Sequence, residues 1–245
     1  MHVDKNQDLE TLVKLSPALL PKNIAVALDG NRRWAKKLGL PEIEGHRVGV
    51  ENTRRLIKRA SELGVKSITF WIFSTENFRR DKNFLTDIFS LAREYLGNGK
   101  YFDELNALGA KVSFIGDLGS FPKDISEKVL YYVSKSKPSK HVIDVVFAFG
   151  YGGRDEIVRA VKKVVKAKIS EDEITEEVLS KHMDFKEEID LLIRTGGKVR
   201  TSGFLIWQAP YAELYFTDTL CPDFKEEEFD KAVSYFTECA RNFGR

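Results

Sequence analysis

Residues 23–37 read NIAVALDGNRRWAKK, an apolar run that passes through Asp29-Gly30 into a stretch of helix-forming and basic residues. Short, β-branched and apolar, residues 23–29 have the pattern of a strand buried on both faces, and the run after Gly30 has that of a helix. The same handover recurs along the chain. A helical segment runs from about 47 to 63, with Leu56, Ile57, Ala60 and Leu63 on one face, and stops at Gly64. Strand patterns at 65–74, 110–117, 141–150 and 188–197 alternate with helical ones at 81–107, 122–136 and 154–168. The 81–107 region is interrupted by Gly-Asn-Gly at 97–99. Residues 204–208 (FLIWQ) and 212–217 (AELYFT) read as short β pieces, and a last helix begins at 225. Apolar strands separated by helices predict an α/β fold, a single domain with a central, mostly parallel β-sheet flanked by helices.

Composition sets the outer limits. The chain has 245 residues with 42% hydrophobic and 31% charged residues, as soluble globular domains do. A net charge of +2 gives no general electrostatic case for nucleic acid, so any anion site must be local. The two cysteines form no disulfide framework or metal-ligand cluster, and a reducing, cytoplasmic setting is expected. No apolar run has the length of a membrane span. Seventeen phenylalanines leave two readings open, an aromatic core or a site for an apolar ligand.

Ligands in open α/β sheets bind beyond the carboxyl ends of the strands. The first strand ends in Asp29-Gly30-Asn31-Arg32-Arg33. Gly30 allows a tight turn, the amides opening the next helix suit a phosphate, and Arg33 adds a donor fork. A carboxylate beside an anion site makes sense if a divalent cation such as Mg²⁺ sits between them. The alternative is that Asp29 caps a helix in an ordinary turn. A second strand end offers Ser74, Asn77 and Arg80, and a third offers Arg194, Arg200 and Ser202 around Gly196-Gly197. His46 is the histidine nearest these motifs in sequence. The turn at 151–156 (YGGRDE) reads as structural, and neither a GxxxxGK[ST] loop nor a GxGxxG at the first turn is present.

These segments together resemble the cis-prenyltransferases, the undecaprenyl diphosphate synthase family with its archaeal and eukaryotic polyprenyl diphosphate synthases. LDGNRRWA, EGHRVG, FSTENFRR, YGGRDEI, DLLIRTGGKVRTSGFLIWQ and YAELYFTD occur in the family's order. The resemblance covers about residues 22–243 and implies a catalytic domain over 22–245 after an N-terminal extension, 1–21. It implies an apolar tunnel and a homodimer. The implied reaction adds isopentenyl diphosphate units to an allylic primer, farnesyl or geranylgeranyl diphosphate, with Mg²⁺ as cofactor. The product would be a polyprenyl diphosphate, a lipid-carrier precursor for glycan synthesis, made by an enzyme in peripheral contact with the membrane. By resemblance Asp29 and Glu213 bear on the metal, and Gly30, Asn31, Arg32, Arg33 and Trp34 cradle the allylic diphosphate. His46, Ser74, Thr75, Glu76, Asn77, Phe78 and Arg80 orient the diphosphates or assist proton loss, while Arg194, Arg200 and Ser202 form the isopentenyl diphosphate site. The chain departs from the bacterial pattern at Lys198-Val199, where an acid and a histidine are common, and at Glu42, Gly150 and Pro210. Lys198 is thus a candidate phosphate contact. The broad apolar stripe from Phe84 to Leu96 either packs on the sheet or lines the tunnel. Competing readings are a non-catalytic partner subunit, which would not need the Asp-Gly-Asn-x-Arg turn, and a metal-dependent prenyl diphosphate phosphatase, which would need more clustered acids.

Overall fold

Alternate residues of the first strand, β1 (Asn23–Ala27), face opposite sides of a sheet: Ile24 and Val26 enter one apolar cluster, Ala25 and Ala27 another. In this computed structural model, which describes residues 17–239, five further strands join it: β2 (Ser67–Ser74), β3 (Ala110–Ile115), β4 (Ile143–Tyr151), β5 (Leu191–Arg194) and β6 (Glu213–Phe216). All pairings are parallel, in the order β3-β4-β2-β1-β5-β6. The helices are α1 (Asn31–Lys37), α2 (Glu42–Glu62), α3 (Lys82–Asn98), α4 (Lys100–Ala107), α5 (Lys123–Lys135), α6 (Gly153–Lys166), α7 (Glu176–His182) and α8 (Glu226–Glu238).

The larger cluster lies on the Ile24 and Val26 face. Leu56 and Ile57 of α2, Leu105 of α4, Val129 of α5 and Phe229 of α8 are buried there with Phe70 and Phe147 of the sheet. The Ala25 and Ala27 face is closed by a smaller set that includes Phe185, Ile189, Phe204 and Leu205. The sheet is therefore wrapped on both sides, as an all-parallel sheet requires. β2 and β5 lie on opposite sides of β1 in the sheet, so a topological switch point falls at β1, and a crevice opens beyond Ala27 and Arg194, which pair in register.

Three expectations are corrected. Residues 202–208 form turns, with left-handed φ at Ser202 (53°) and Leu205 (47°), and add no strand. Their apolar side chains plug the second face, where Phe204 and Leu205 have no exposed surface. The strand expected over 188–197 shrinks to β5. The helix expected from about 47 begins at Glu42, behind Pro41, because Gly45 and Gly49 serve helix packing and do not break the helix. A Cβ on Gly45 would stand 2.0 Å from the Asn31 carbonyl oxygen, and one on Gly49 would stand 2.6 Å from Asn31 Oδ1. The break expected at 97–99 is present between α3 and α4. Residues 1–16 of the expected N-terminal extension, and the end of the last helix beyond 239, lie outside the described residues. Among the described residues no helix is long and apolar enough to cross a membrane.

Because the contact at Gly45 is with backbone, it cannot be relieved by a rotamer change. Gly45→Ala should cost about 2 kcal/mol or more and lower the melting temperature by roughly 4–8 °C. It should also displace the turn at Asp29-Gly30. Calorimetry of the variant checks the first effect, and an unchanged melting temperature would refute this account of α1–α2 packing.

Candidate active site

Beyond β1 the chain turns at Gly30 with φ 110°, and a Cβ there would come within 2.8 Å of the Leu220 side chain. That turn leaves Asp29 at the mouth of the crevice, about one-third exposed. Its Oδ2 accepts from Arg194 Nη2 at 2.9 Å and its Oδ1 from Arg33 Nη2 at 3.3 Å. The Arg33 group also donates to the Gly196 carbonyl at 2.7 Å. Arg194 is nearly buried, and its Nη1 donates to Ser202 Oγ (2.8 Å) and to the Arg200 carbonyl (2.9 Å). Gly196 takes φ 82°, and a Cβ would lie 2.7 Å from Arg33 Nη2, so the loop passes as close as it does only with glycine there. One carboxylate thus stands between the arginine of the first motif and that of the last.

The crevice opens into a cavity of about 830 Å³. Its polar end carries Asp29, Arg32, Arg33, Lys36, Arg80, Arg194 and Ser202, and its depth is apolar, reaching Phe102, Phe114, Val129 and Phe147. One wall is α3, through Phe84, Ile88, Leu91, Ala92, Tyr95 and Leu96. Leu85 and Phe89 of the same stripe pack on the core without lining the cavity, while Phe84, Ile88, Ala92, Tyr95 and Leu96 do both. The phenylalanines likewise divide: Phe78 packs edge-on and Phe121 at a tilt against Phe73, while Phe73 itself also lines the cavity.

The residues of the second motif are held by local structure. Ser74 and Asn77 form a reciprocal capping box at the Thr75–Arg79 turn, with the Ser74 amide donating to Asn77 Oδ1 at 2.9 Å. Both line the cavity, as does Glu76. Arg80 lies over the Phe84 ring at 4.0 Å, a cation–π contact that leaves its donors available. Asn31 ties Leu28 through Nδ2, and its Oδ1 is buried without a hydrogen-bond partner. Arg32 turns from Arg33 and pairs with Glu42.

Four candidates are placed away from the cavity. Trp34 donates from Nε1 to Asp223 at 2.9 Å, because the fourth residue of α1 faces the Leu220–Asp223 segment. Thr75 packs against Gly152, and Phe78 joins the aromatic core. Glu213 begins β6, level with Leu191 and Ile24, at the opposite end of the strands from Asp29. Three residues of strand separate that level from Arg194, about 10 Å. One chain does not bring Glu213 and Asp29 together. Arg200 is exposed at the rim with Nε 3.2 Å from Ser202 Oγ, and Lys198 is exposed nearby. Two residues of the site were not singled out in the sequence. Thr195, directly after Arg194, is fully buried and bonds both the amide and the carbonyl of Asp29 through Oγ1. Lys36 falls one helical turn beyond Arg32, and that spacing is the signal that would have found it.

Among the described residues no cluster of three or more acid, histidine or cysteine side chains could hold a metal by itself. Asp29 offers hard carboxylate oxygens amid cationic groups suited to diphosphate. That donor set fits a magnesium-type ion shared with substrate oxygens, and does not fit an all-protein cage.

His46 lines the cavity edge-on to Phe84, with ring centroids 6.0 Å apart, and its Nε2 is buried without a hydrogen-bond partner. Burial, aided by the Arg32 charge, pushes its pKa down to about 4. The ring is therefore neutral at physiological pH. The unfolded chain takes up this proton near 6.5 and the folded one near about 4, so stability from His46 is full above the first value and lost as pH falls through the second. The difference in melting temperature between wild type and His46→Gln should shift against wild type between about pH 7 and about pH 4.5. A difference that stays constant, or a ring titrating near 6.5 by NMR, would contradict this.

Comparison with known proteins identifies the family and the fold. Residues 27–244 match the profile of the family described as "Putative undecaprenyl diphosphate synthase". An isoprenyl transferase of Aquifex pyrophilus is 44% identical over 228 residues, covering 92% of this chain and 96% of that protein. A ditrans,polycis-undecaprenyl-diphosphate synthase of Shewanella oneidensis, named as specific for (2E,6E)-farnesyl diphosphate, is 38% identical over 96% of this chain and 86% of that protein. The structure of lavandulyl diphosphate synthase from Lavandula x intermedia, with dimethylallyl diphosphate, superposes with a TM-score of 0.87 at 34% identity, covering 93% of this chain and 100% of that one. A probable undecaprenyl diphosphate synthase of Campylobacter jejuni gives 0.77 at 32% identity, covering 92% and 99%.

Proposed function

This chain belongs to the undecaprenyl diphosphate synthase family and is a prenyltransferase, and from that premise we propose how its residues carry out cis-prenyl chain elongation. The observation that carries the reading is Asp29 set between Arg33 and Arg194 at the mouth of an apolar cavity. Two cationic subsites flank one carboxylate, as expected for two diphosphates that meet at their reacting carbons.

The allylic diphosphate, from farnesyl or geranylgeranyl diphosphate, lies at the opening of α1, with Arg33 beside it and its prenyl tail running along α3. The α1 amides lack intrahelical acceptors and face the leaving group. Isopentenyl diphosphate lies at Arg194, Arg200 and Ser202. Arg194 is fixed by Ser202 and by the Arg200 carbonyl, so it requires little reorganisation on binding. Asp29 is the residue that would hold Mg²⁺, which supplies Lewis-acid stabilisation of the departing diphosphate. Arg33 and Arg80 add fixed positive charge for the same growing negative charge. The apolar depth shields the cation-like allylic carbon from water. The isopentenyl double bond attacks that carbon, a proton is lost from the added unit, and the lengthened allylic diphosphate re-enters the cycle. Asn77 and Ser74 are placed to orient the diphosphates during proton loss. Neutral His46 presents an uncharged ring to the tail side of the site.

Glu213, at the far end of β6, bears on a metal only if a second copy of the chain brings it there. The homodimer expected for the family is therefore part of this proposal, with β6 at one edge of the sheet. A cytoplasmic protein in peripheral contact with a membrane fits a very apolar product.

Labelled isopentenyl diphosphate, farnesyl diphosphate and Mg²⁺ should yield elongated product. Released phosphate without elongation would indicate a phosphatase instead, and neither outcome a partner subunit. Excess chelator should abolish elongation, and full activity in chelator would remove the metal from the reading. Asp29→Asn keeps shape but loses charge, so turnover should fall about a hundredfold or more, roughly 3 kcal/mol, and the melting temperature should fall as well because the nearly buried Arg194 loses its counter-charge. Turnover within about threefold of wild type would take Asp29 out of the mechanism.

A further inference from the structure

Arg32 is the second residue of α1 and Glu42 the first of α2, and the two helices bring their side chains together at the cavity mouth. Arg32 donates from Nη2 to Glu42 Oε1 at 2.8 Å and from Nε to Oε2, a bidentate pair. Its neighbours are engaged differently. Arg33 reaches the Gly196 carbonyl and Asp29, Arg194 is fixed by Asp29 and Ser202, and Arg80 rests on Phe84. Arg32 thus faces the polar end of the cavity with its Nε and one Nη committed to a carboxylate of its own chain.

A carboxylate and a phosphate oxygen pair seek the same edge of a guanidinium. They cannot both hold the Nε–Nη2 edge at once, and a diphosphate that meets this pair finds that edge taken by Glu42. We propose that Glu42 is a resident competitor for the Arg32 fork, and that it sets the affinity of the adjacent subsite for a diphosphate. This rests on the prenyltransferase reading above and names which residue tunes its anion subsite. The pair is about half exposed, so displacing it is inexpensive, and an entering diphosphate brings more than one negative charge. The net effect is weaker retention of every diphosphate that occupies the subsite, including the product of each elongation step. A chain-lengthening enzyme must release a product that bears the same head group as its substrate, and a built-in competitor favours that release.

The test is calorimetric binding of inorganic diphosphate, and separately of farnesyl diphosphate, at fixed ionic strength. The proteins are wild type, Glu42→Gln, Glu42→Ala, Arg32→Gln and the Glu42→Gln/Arg32→Gln double variant. Either Glu42 variant should bind both probes about fivefold more tightly, the worth of an exposed pair removed. Arg32→Gln alone should not tighten binding, and in the Glu42→Gln background it should erase the gain. Unchanged or weaker binding in both Glu42 variants, or a gain that survives loss of Arg32, overturns the proposal, even if wild type elongates normally. Tighter inorganic diphosphate binding by the Glu42 variants, with no elongation by wild type, would instead leave the competition standing and overturn the prenyltransferase reading.

Discussion

The ion pair between Asp29 and Arg194 holds the two sides of the crevice together. Arg194 ends β5 with a side chain only 9% exposed, and a guanidinium that deep needs its charge met. Asp29, one strand away, meets it, and does so because the sheet puts Ala27 and Arg194 in register. The rest of the mouth is built on that contact. The second amine of Arg194 fixes Ser202 and the Arg200 carbonyl, which set the course of the 195–203 loop. Thr195 clamps the Asp29 backbone from the other side. The loop is irregular, yet it has few free choices, since Thr195 is tied to the Asp29 backbone, the Gly196 carbonyl to Arg33, and Arg200 and Ser202 to Arg194.

The same contact explains a tension in the site. Stability asks that Asp29 stay between its arginines, and the proposed chemistry asks that those arginines turn to diphosphates. The structure resolves it by giving each partner a second anchor. Arg33 has the Gly196 carbonyl, and Arg194 has Ser202. When a substrate takes up charge from either side, the guanidinium groups remain aimed and the loop keeps its shape. This is preorganisation achieved with backbone carbonyls and one hydroxyl rather than with further charges.

Much of this was legible in the sequence because the physics there is local. Strand runs such as Asn23–Ala27, the Gly99 break between helices and the polar residues at strand ends all act within a few residues. The pairing of Asp29 with Arg194 could be anticipated only as a shared sheet edge, and that expectation needed the parallel topology. The illegible part depends on direction. Trp34 comes immediately after Arg33, yet helical geometry turns its indole to Asp223. Glu213 opens a strand whose other end reaches the site, so a four-residue strand separates it from Asp29. FLIWQ has strand composition, but Phe204 and Leu205 are consumed in covering a sheet face. Arg32 looked equivalent to Arg33 until α2 presented Glu42 to it.

The apolar cavity has a mechanical consequence. Side chains of α3 that face it line it with apolar surface. The charged mouth is cross-linked by ion pairs, and α3 is tied on its other faces by Arg93 to Asp124 and by Glu94 to Arg47. An apolar chain held in the cavity adds dispersion contacts to this wall. Occupancy and rigidity then rise together, and the protein should resist heat in proportion to how well it is filled, by simple mass action.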